Sequence, residues 1–223
     1  KIINKITVDV KKNRILKKYN FNQFRDLSNE DHIEFALQWF KQTIHHNGGS
    51  SAGYDMILEN FLSSYPETTG YWIKTLYRVK NLYSSLFNRV FENIDVIDGC
   101  VEWLLTIQRD DGTFPGSYGN YSHQEPIVFN NGQIILGLLE HYNHTKEEKF
   151  LKSIIKVADW LVEVQSESGI WDKYTHCQYS SNTRTGYALI QLGKLTNIDK
   201  YYIAGVKNID YAISCQQGNG YFN

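Results

Sequence analysis

WLLTIQRDDGTF (residues 103–114), WLVEVQSESGIW (160–171) and YAISCQQGNGYF (211–222) share one spacing: an aromatic, Gln five residues on, Gly four after that, and an aromatic two later. Trp103, Gln108, Gly112 and Phe114 thus correspond to Trp160, Gln165, Gly169 and Trp171, and to Tyr211, Gln216, Gly220 and Phe222. A spacing that returns without a gap is an internal repeat, the signature of units that bury their apolar faces only against one another. Ahead of each Gln lies a segment of helical period. Before Gln165, the residues Leu151, Ile154, Ile155, Ala158, Leu161 and Val162 form one stripe, with Lys152, Lys156 and Glu163 off it. Thr145 and Glu148 predict a capping box at its start. Asp111-Gly112, Ser168-Gly169 and Asn219-Gly220 then stop each helix, because glycine takes the positive φ of a helix ending at little cost. The closing aromatic is expected to pack back over the helix end, and the Gln to bond backbone groups at a neighbouring helix end.

A second helix follows each terminator. TGYWIKTLYR from Thr69, NGQIILGLLE from Asn131 and TGYALIQLGK from Thr185 align on Gly70, Gly132 and Gly186. These segments are apolar nearly all round, as Ile134, Ile135, Leu136, Leu138 and Leu139 show, so each is expected to be buried on more than one side. The chain therefore alternates amphipathic outer helices, near 32–45, 93–108, 146–165 and 199–216, with apolar inner helices near 67–80, 130–143 and 184–195. A degraded earlier copy fits FALQWFKQTIHHNGG, with Trp39 and Gly48 in register and Ile44 where the Gln would stand. The fold class expected is all-α: helical hairpins curving into an α/α toroid, with about three and a half hairpins present. An inner helix is expected to come after residue 223, so the barrel should be partial and Ile134, Leu138 and Leu189 should lack part of their covering.

Residues 25–223 suffice for this one domain, and residues 1–24 form a basic extension. There Lys1, Lys5, Lys11, Lys12, Arg14, Lys17 and Lys18 face only Asp9, and KITVDV alternates like a short strand. The extension reads as a solvated connection to something upstream, or as an arm for an acidic partner. Net charge is −1, so no global attraction to nucleic acid or to an anionic membrane is implied. Apolar runs such as IILGLL are too short to span a bilayer. Cys100, Cys177 and Cys215 are odd in number, far apart and without a C-x-x-C pair, which suits free thiols in the cytoplasm.

The terminators resemble the Q-x-x-x-G-x-W repeats of terpenoid-cyclase and prenyltransferase α/α toroids, although only the copy ending in Trp171 has the closing Trp. The stretch from Trp39 to Phe222 also resembles an uncharacterised group of bacterial toroids associated with polysaccharide biosynthesis. Runs similar to SYPETTGY, VFNNGQIILGLLE and NTRTGYALIQLG recur in that group. Related barrels carry sugar 2-epimerases, uronyl C5-epimerases, unsaturated-uronyl hydrolases and polysaccharide lyases, so the resemblance implies carbohydrate chemistry while leaving the reaction open.

The connections from outer to inner helix are the long ones: Gly48 to Tyr65, Gly112 to Asn130 and Gly169 to Asn182. In a repeat these gather on one rim, together with the N-termini of the inner helices, whose free N–H groups favour an anionic ligand. The candidate catalytic residues there are Glu67, Tyr71, His123 and Tyr187. The candidate substrate-binding residues are Asn130, Asn131 and Arg184. Glu67 can serve as acid or base, or simply complement the helix dipole after Pro66. Arg184 can clamp a carboxylate with two parallel bonds, or form an ordinary ion pair. Tyr71 and Tyr187 follow the aligned glycines and should face the axis, as proton donors, sugar platforms or core aromatics. His123, with Glu125 beside it in the longest loop, can serve as acid or base. Asp111 is better explained by its turn. His45-His46 diverge and lack supporting ligands, so no metal or other cofactor is expected.

Three functions are weighed. The first is an enzyme acting on a saccharide, in one version a uronate: an epimerase, lyase or hydrolase. Epimerisation or elimination needs a base, an enolate stabiliser and an acid, for which Tyr187 or His123, Arg184 with Asn130, and Tyr71 or Glu67 are available. Hydrolysis needs two opposed carboxyl groups, and Glu67 with Glu125 is the pair at hand. The second is a saccharide-binding or assembly module without catalysis. The third, terpene cyclisation or prenyl transfer, lacks a D-x-D-D-type acid, since DVID supplies only Asp95 and Asp98. Self-association, or a further chain completing the toroid, goes with any of them.

Overall fold

The computed structural model describes residues 27–44, 48–92, 94–176 and 180–222. The basic extension, His45-His46 and Cys177 lie outside the described residues. The elements run in the order α1 (Asn29–Thr43), β1 (Tyr54–Asp55), β2 (Asn60–Phe61), α2 (Pro66–Leu82), α3 (Ser84–Phe91), α4 (Val96–Ile107), α5 (Val128–Thr145), α6 (Glu148–Glu163), α7 (Thr183–Thr196) and α8 (Asp199–Ser214). The fold is a partial α/α toroid. Helices α2, α5 and α7 form the inner layer, with α5 packed between the other two, while α1, α4, α6 and α8 form the outer layer. Among the described residues, no helix is long and apolar enough to cross a membrane.

The terminators explain the repeat atom by atom. In each, the residue after Gln closes a turn: Gly112 N–H donates to the Arg109 carbonyl at 2.9 Å, Gly169 to Ser166 at 3.0 Å and Gly220 to Gln217 at 2.8 Å. The three glycines have φ of 86°, 88° and 86°, and Gly48 of the degraded copy has 90°. The turns at Gly48, Gly112 and Gly169 lie against the next outer helix. A Cβ on Gly112 would stand 2.6 Å from the Lys156 carbonyl carbon, and one on Gly169 would stand 2.5 Å from the Lys207 carbonyl oxygen. Lys156 and Lys207 each lie nine residues before the Gln of their own helix, and so does Gly99, against which Gly48 packs.

The Gln side chain completes the joint. Nε2 of Gln108 donates to its own turn at Gly112 (2.8 Å) and to the Ser153 carbonyl of α6 (3.0 Å). Nε2 of Gln165 does the same to Gly169 and to Ala204 of α8, at 3.0 Å each. The acceptors sit in the second turn of the next outer helix, past its end, where a small side chain lets the amide approach. The closing aromatics Phe114 and Trp171 are fully buried, and Trp171 donates its indole N–H to the Leu161 carbonyl at 2.9 Å.

Inner helices pack through the residues around the aligned glycines. A Cβ at Gly70 would meet the Ile134 backbone, and one at Gly132 would meet Thr185, which lets α2, α5 and α7 approach closely. The return from inner to outer layer is abrupt. A single left-handed residue, Lys146 (φ 57°) or Asn197 (φ 56°), ends α5 and α7, and the outer helix starts two residues later.

Two expectations are corrected, on Thr145 and on the covering of the inner face, and two short elements add to those the sequence offered. Thr145 does not cap α6: it is the last residue of α5, and its hydroxyl donates to the His141 carbonyl. Ile134, Leu138 and Leu189 are fully buried, because flanking inner helices and the outer layer enclose them. The first return from inner to outer layer is a helix of its own, α3, which buries Leu86, Phe87, Val90 and Phe91. The first long loop contains the hairpin β1–β2, with Tyr54 opposite Phe61 and both rings edge-on to Trp39.

Candidate functional site

Direct bonds hold the long loops on one rim. The Tyr65 hydroxyl donates to the Gly116 carbonyl (3.4 Å) and accepts from Asn130 Nδ2 (2.8 Å). The Tyr121 hydroxyl donates to Ser64 (2.5 Å), and the Val128 N–H donates to Tyr174 (2.7 Å). Arg109 secures the turn at 121–123 by donating to the Tyr121 and Gln124 carbonyls.

Two adjoining cavities open on the concave face below this rim. The larger, about 470 Å³, is lined among others by Tyr71, Lys74, Arg78, Gln133, Leu136 and Arg184. The smaller, about 290 Å³, shares Lys74 and Leu136 and adds Glu140, Tyr187, Gln191 and Lys194. Both volumes suit a small ligand or part of a chain. The Arg184 guanidinium lies 5.2 Å from the centre of the Tyr71 ring, a cation–π contact. Burial raises the Tyr71 hydroxyl above the ordinary tyrosine range, Arg184 opposes the rise and Glu67 adds to it. Tyr65 is raised further, first by burial and then by the Glu67 carboxylate beside it.

Tyr71 and Arg184 thus share one cavity, and Tyr187, 45 % exposed, lines the next. Glu67 and Asn130 stand behind them, joined through Tyr65, and line neither cavity. Asn131 is no rim residue. It is fully buried, its Oδ1 accepts the Phe114 N–H (2.8 Å), and its Nδ2 donates to Ile127 (2.9 Å). Thr69, the residue before Gly70, does the same for the Ser50 N–H (2.9 Å), so this position secures the terminator rather than a ligand. His123 is exposed in its turn and lines neither cavity, because the bonds of Tyr121 and Arg109 hold that turn against the loop.

The sequence reading passed over Tyr65, Lys74, Arg78 and Gln133. Gln133 was within reach, since it follows Gly132 as Tyr71 follows Gly70 and Tyr187 follows Gly186. Lys74 and Arg78 also left a signal: with Tyr71 they repeat at helical spacing along α2.

No family model matches this sequence, and no curated protein matches it. Among solved structures, the Lin0763 protein from Listeria innocua is similar with a TM-score of 0.61 and 15 % identity, over 86 % of this chain and 56 % of that one. A GH127 beta-arabinofuranosidase aligns with a TM-score of 0.45 and 17 % identity, over 81 % of this chain and 28 % of that one. The first likeness is one of fold. The chain spans little more than half the length of the Listeria protein.

Proposed function

We propose that this chain is a carbohydrate-active toroid domain that binds a saccharide along its concave face and transfers protons to or from it. The observation that carries this reading is the pairing of Tyr71 and Arg184 in a cavity that runs on to Tyr187. Aromatic rings beside polar and cationic donors provide flat apolar faces and hydrogen bonds for a sugar. Tyr71, kept protonated by burial, is the proton donor, and Glu67 acts on it through the local field. The only carboxylate among the residues lining the two cavities is Glu140, which favours epimerisation or elimination over hydrolysis by two opposed carboxyl groups. The absence of any carboxylate from the larger lining also supports a second reading, a saccharide-binding module without catalysis.

The setting we propose is polysaccharide metabolism in the cytoplasm, with a second copy or a further helical hairpin meeting the edge at Gln216 and Phe222. The test is turnover and binding of a set of oligosaccharides by the wild type and by Tyr71→Phe. Loss of roughly 10²-fold in kcat with binding retained supports the enzyme. Binding by both proteins with no turnover by either supports the module. Absence of any binding overturns both.

A further inference from the structure

The post-glycine positions of the inner helices are equivalent, so Tyr71, Gln133 and Tyr187 all present to the axis. Gln133 is the anomaly among them. It is 1 % exposed, its Nε2 reaches the Phe129 carbonyl at 3.4 Å, and its Oε1 is buried with no hydrogen-bond partner. A buried acceptor without a donor is costly, and a water or a ligand can satisfy it. Gln133 lines the larger cavity, and a turn of its side chain toward that cavity would let a ligand there supply the missing donor.

The charges of the same cavity complete the description. Lys74, Arg78 and Arg184 line it without a carboxylate among them, and none of the three forms an ion pair among the described residues. Lys74 and Lys194 extend the positive wall into the smaller cavity, against Glu140 alone. This is a local field: the whole chain has a net charge of −1. Unpaired cations around a concavity attract and hold an anion, and a guanidinium prefers planar oxyanions.

We infer that the concave face selects a saccharide residue carrying an anionic group, which lies among Lys74, Arg78 and Arg184 while a hydroxyl of the same residue donates to Oε1 of Gln133. The inference rests on the saccharide reading above and specifies its substrate class. Carboxylate, sulfate ester and phosphate ester share the chemistry required. Gln133 makes the site more than an electrostatic patch, because its acceptor fixes which way round the ring lies.

The experiment is an array of immobilised glycans, in which neutral, uronate, sulfated and phosphorylated members are probed with the 223-residue protein at low and moderate salt. The variants are Arg78→Ala, which alters an exposed side chain, and Gln133→Leu. Preference for anionic members that weakens with salt, falls at least ten-fold in Arg78→Ala and falls about ten-fold in Gln133→Leu supports the inference. The array member retained identifies the anion. If neutral members bind as well as anionic ones, or Arg78→Ala changes nothing, the anion assignment is overturned and the saccharide reading stands. If no glycan binds, both fall. Equal losses for every glycan in Gln133→Leu, with binding by Arg78→Ala unaltered, would mark Gln133 as structural and overturn its part.

Discussion

At the scale of single residues, glycine decides more than any charged group. Gly169 and Gly220 have nearly the same φ, 88° and 86°, but only Gly169 has a neighbour against it. Ala at Gly220 therefore meets conformational strain alone, about 1 kcal/mol. Ala at Gly169 must also displace the Lys207 carbonyl, and a loss of at least about 2 kcal/mol is expected. Urea unfolding of the two variants checks the difference, and equal losses would refute the close approach. His141 provides the second prediction. It is buried, shares a hydrogen bond between Nδ1 and the Tyr77 hydroxyl (2.9 Å) and stands edge-on to Phe150. Asp98 at 3.9 Å is too distant for a charge-assisted bond, so burial prevails and lowers the ring below its ordinary value of 6.5. The unfolded chain then takes up the proton first, and stability falls as pH drops below about 6.5. His141→Asn keeps a hydrogen-bonding partner for Tyr77, so the fall in urea midpoint between about pH 7.5 and pH 5.5 should flatten in that variant. Residues of this kind divide what was legible from what was not. The glycines announce themselves by spacing, whereas Asn131 and Gln133, the amides on either side of Gly132, look alike in the sequence. Only packing shows that one is satisfied and the other is not.

At the scale of elements, the outer and inner helices follow from period and punctuation, and their bounds agree closely with the sequence reading. The exceptions are short. Helix α3 offers only two turns of pattern, and the β1–β2 hairpin pairs two residues on each side, so neither has a period long enough to stand out. The bond of the Gln to a neighbouring helix was legible, but its place was not: the second acceptor lies in the second turn of the next outer helix, in a different hairpin. That arrangement makes a comparison possible. Gln165→Leu removes bonds to Gly169 and Ala204 and leaves part-buried carbonyls without that donor, an expected loss of about 1–2 kcal/mol. Gln216 bonds only to its own turn at Gly220 (3.2 Å) and is exposed, so Gln216→Leu should cost less than about 0.5 kcal/mol. Thermal and urea melts of both variants would show the asymmetry, and its absence would mean the inter-helix bond contributes nothing.

For the whole molecule, joints between neighbours imply uneven stability. Helix α5 is enclosed by α2, α6 and α7, while α8 leaves Tyr202, Ile203 and Ile213 exposed and is followed by Phe222 at 51 % exposure. Repeat proteins open where a unit has one neighbour instead of two. Amide exchange should therefore be slowest in α5 and fastest, among the helices of the three hairpins, in α8. Uniform protection would argue for a single cooperative core. The candidate site draws on this order, since its polar side chains stand on α2, α5 and α7, the layer enclosed on most sides.

The forward-leaning joint has a further consequence, for descent. Within α6 and the turn after it, Ser153 and Lys156 receive the preceding terminator, while Gln165 and Gly169 reach for the following helix. Both halves of the connection therefore travel in one short segment. A tandem duplication that copies such a segment with its inner helix inherits a working link on each side, without compensating changes elsewhere. Lineages can lengthen or shorten the arc by whole hairpins while the joint itself stays unchanged, and the concave lining, which stands on the inner helices, is left free to diverge.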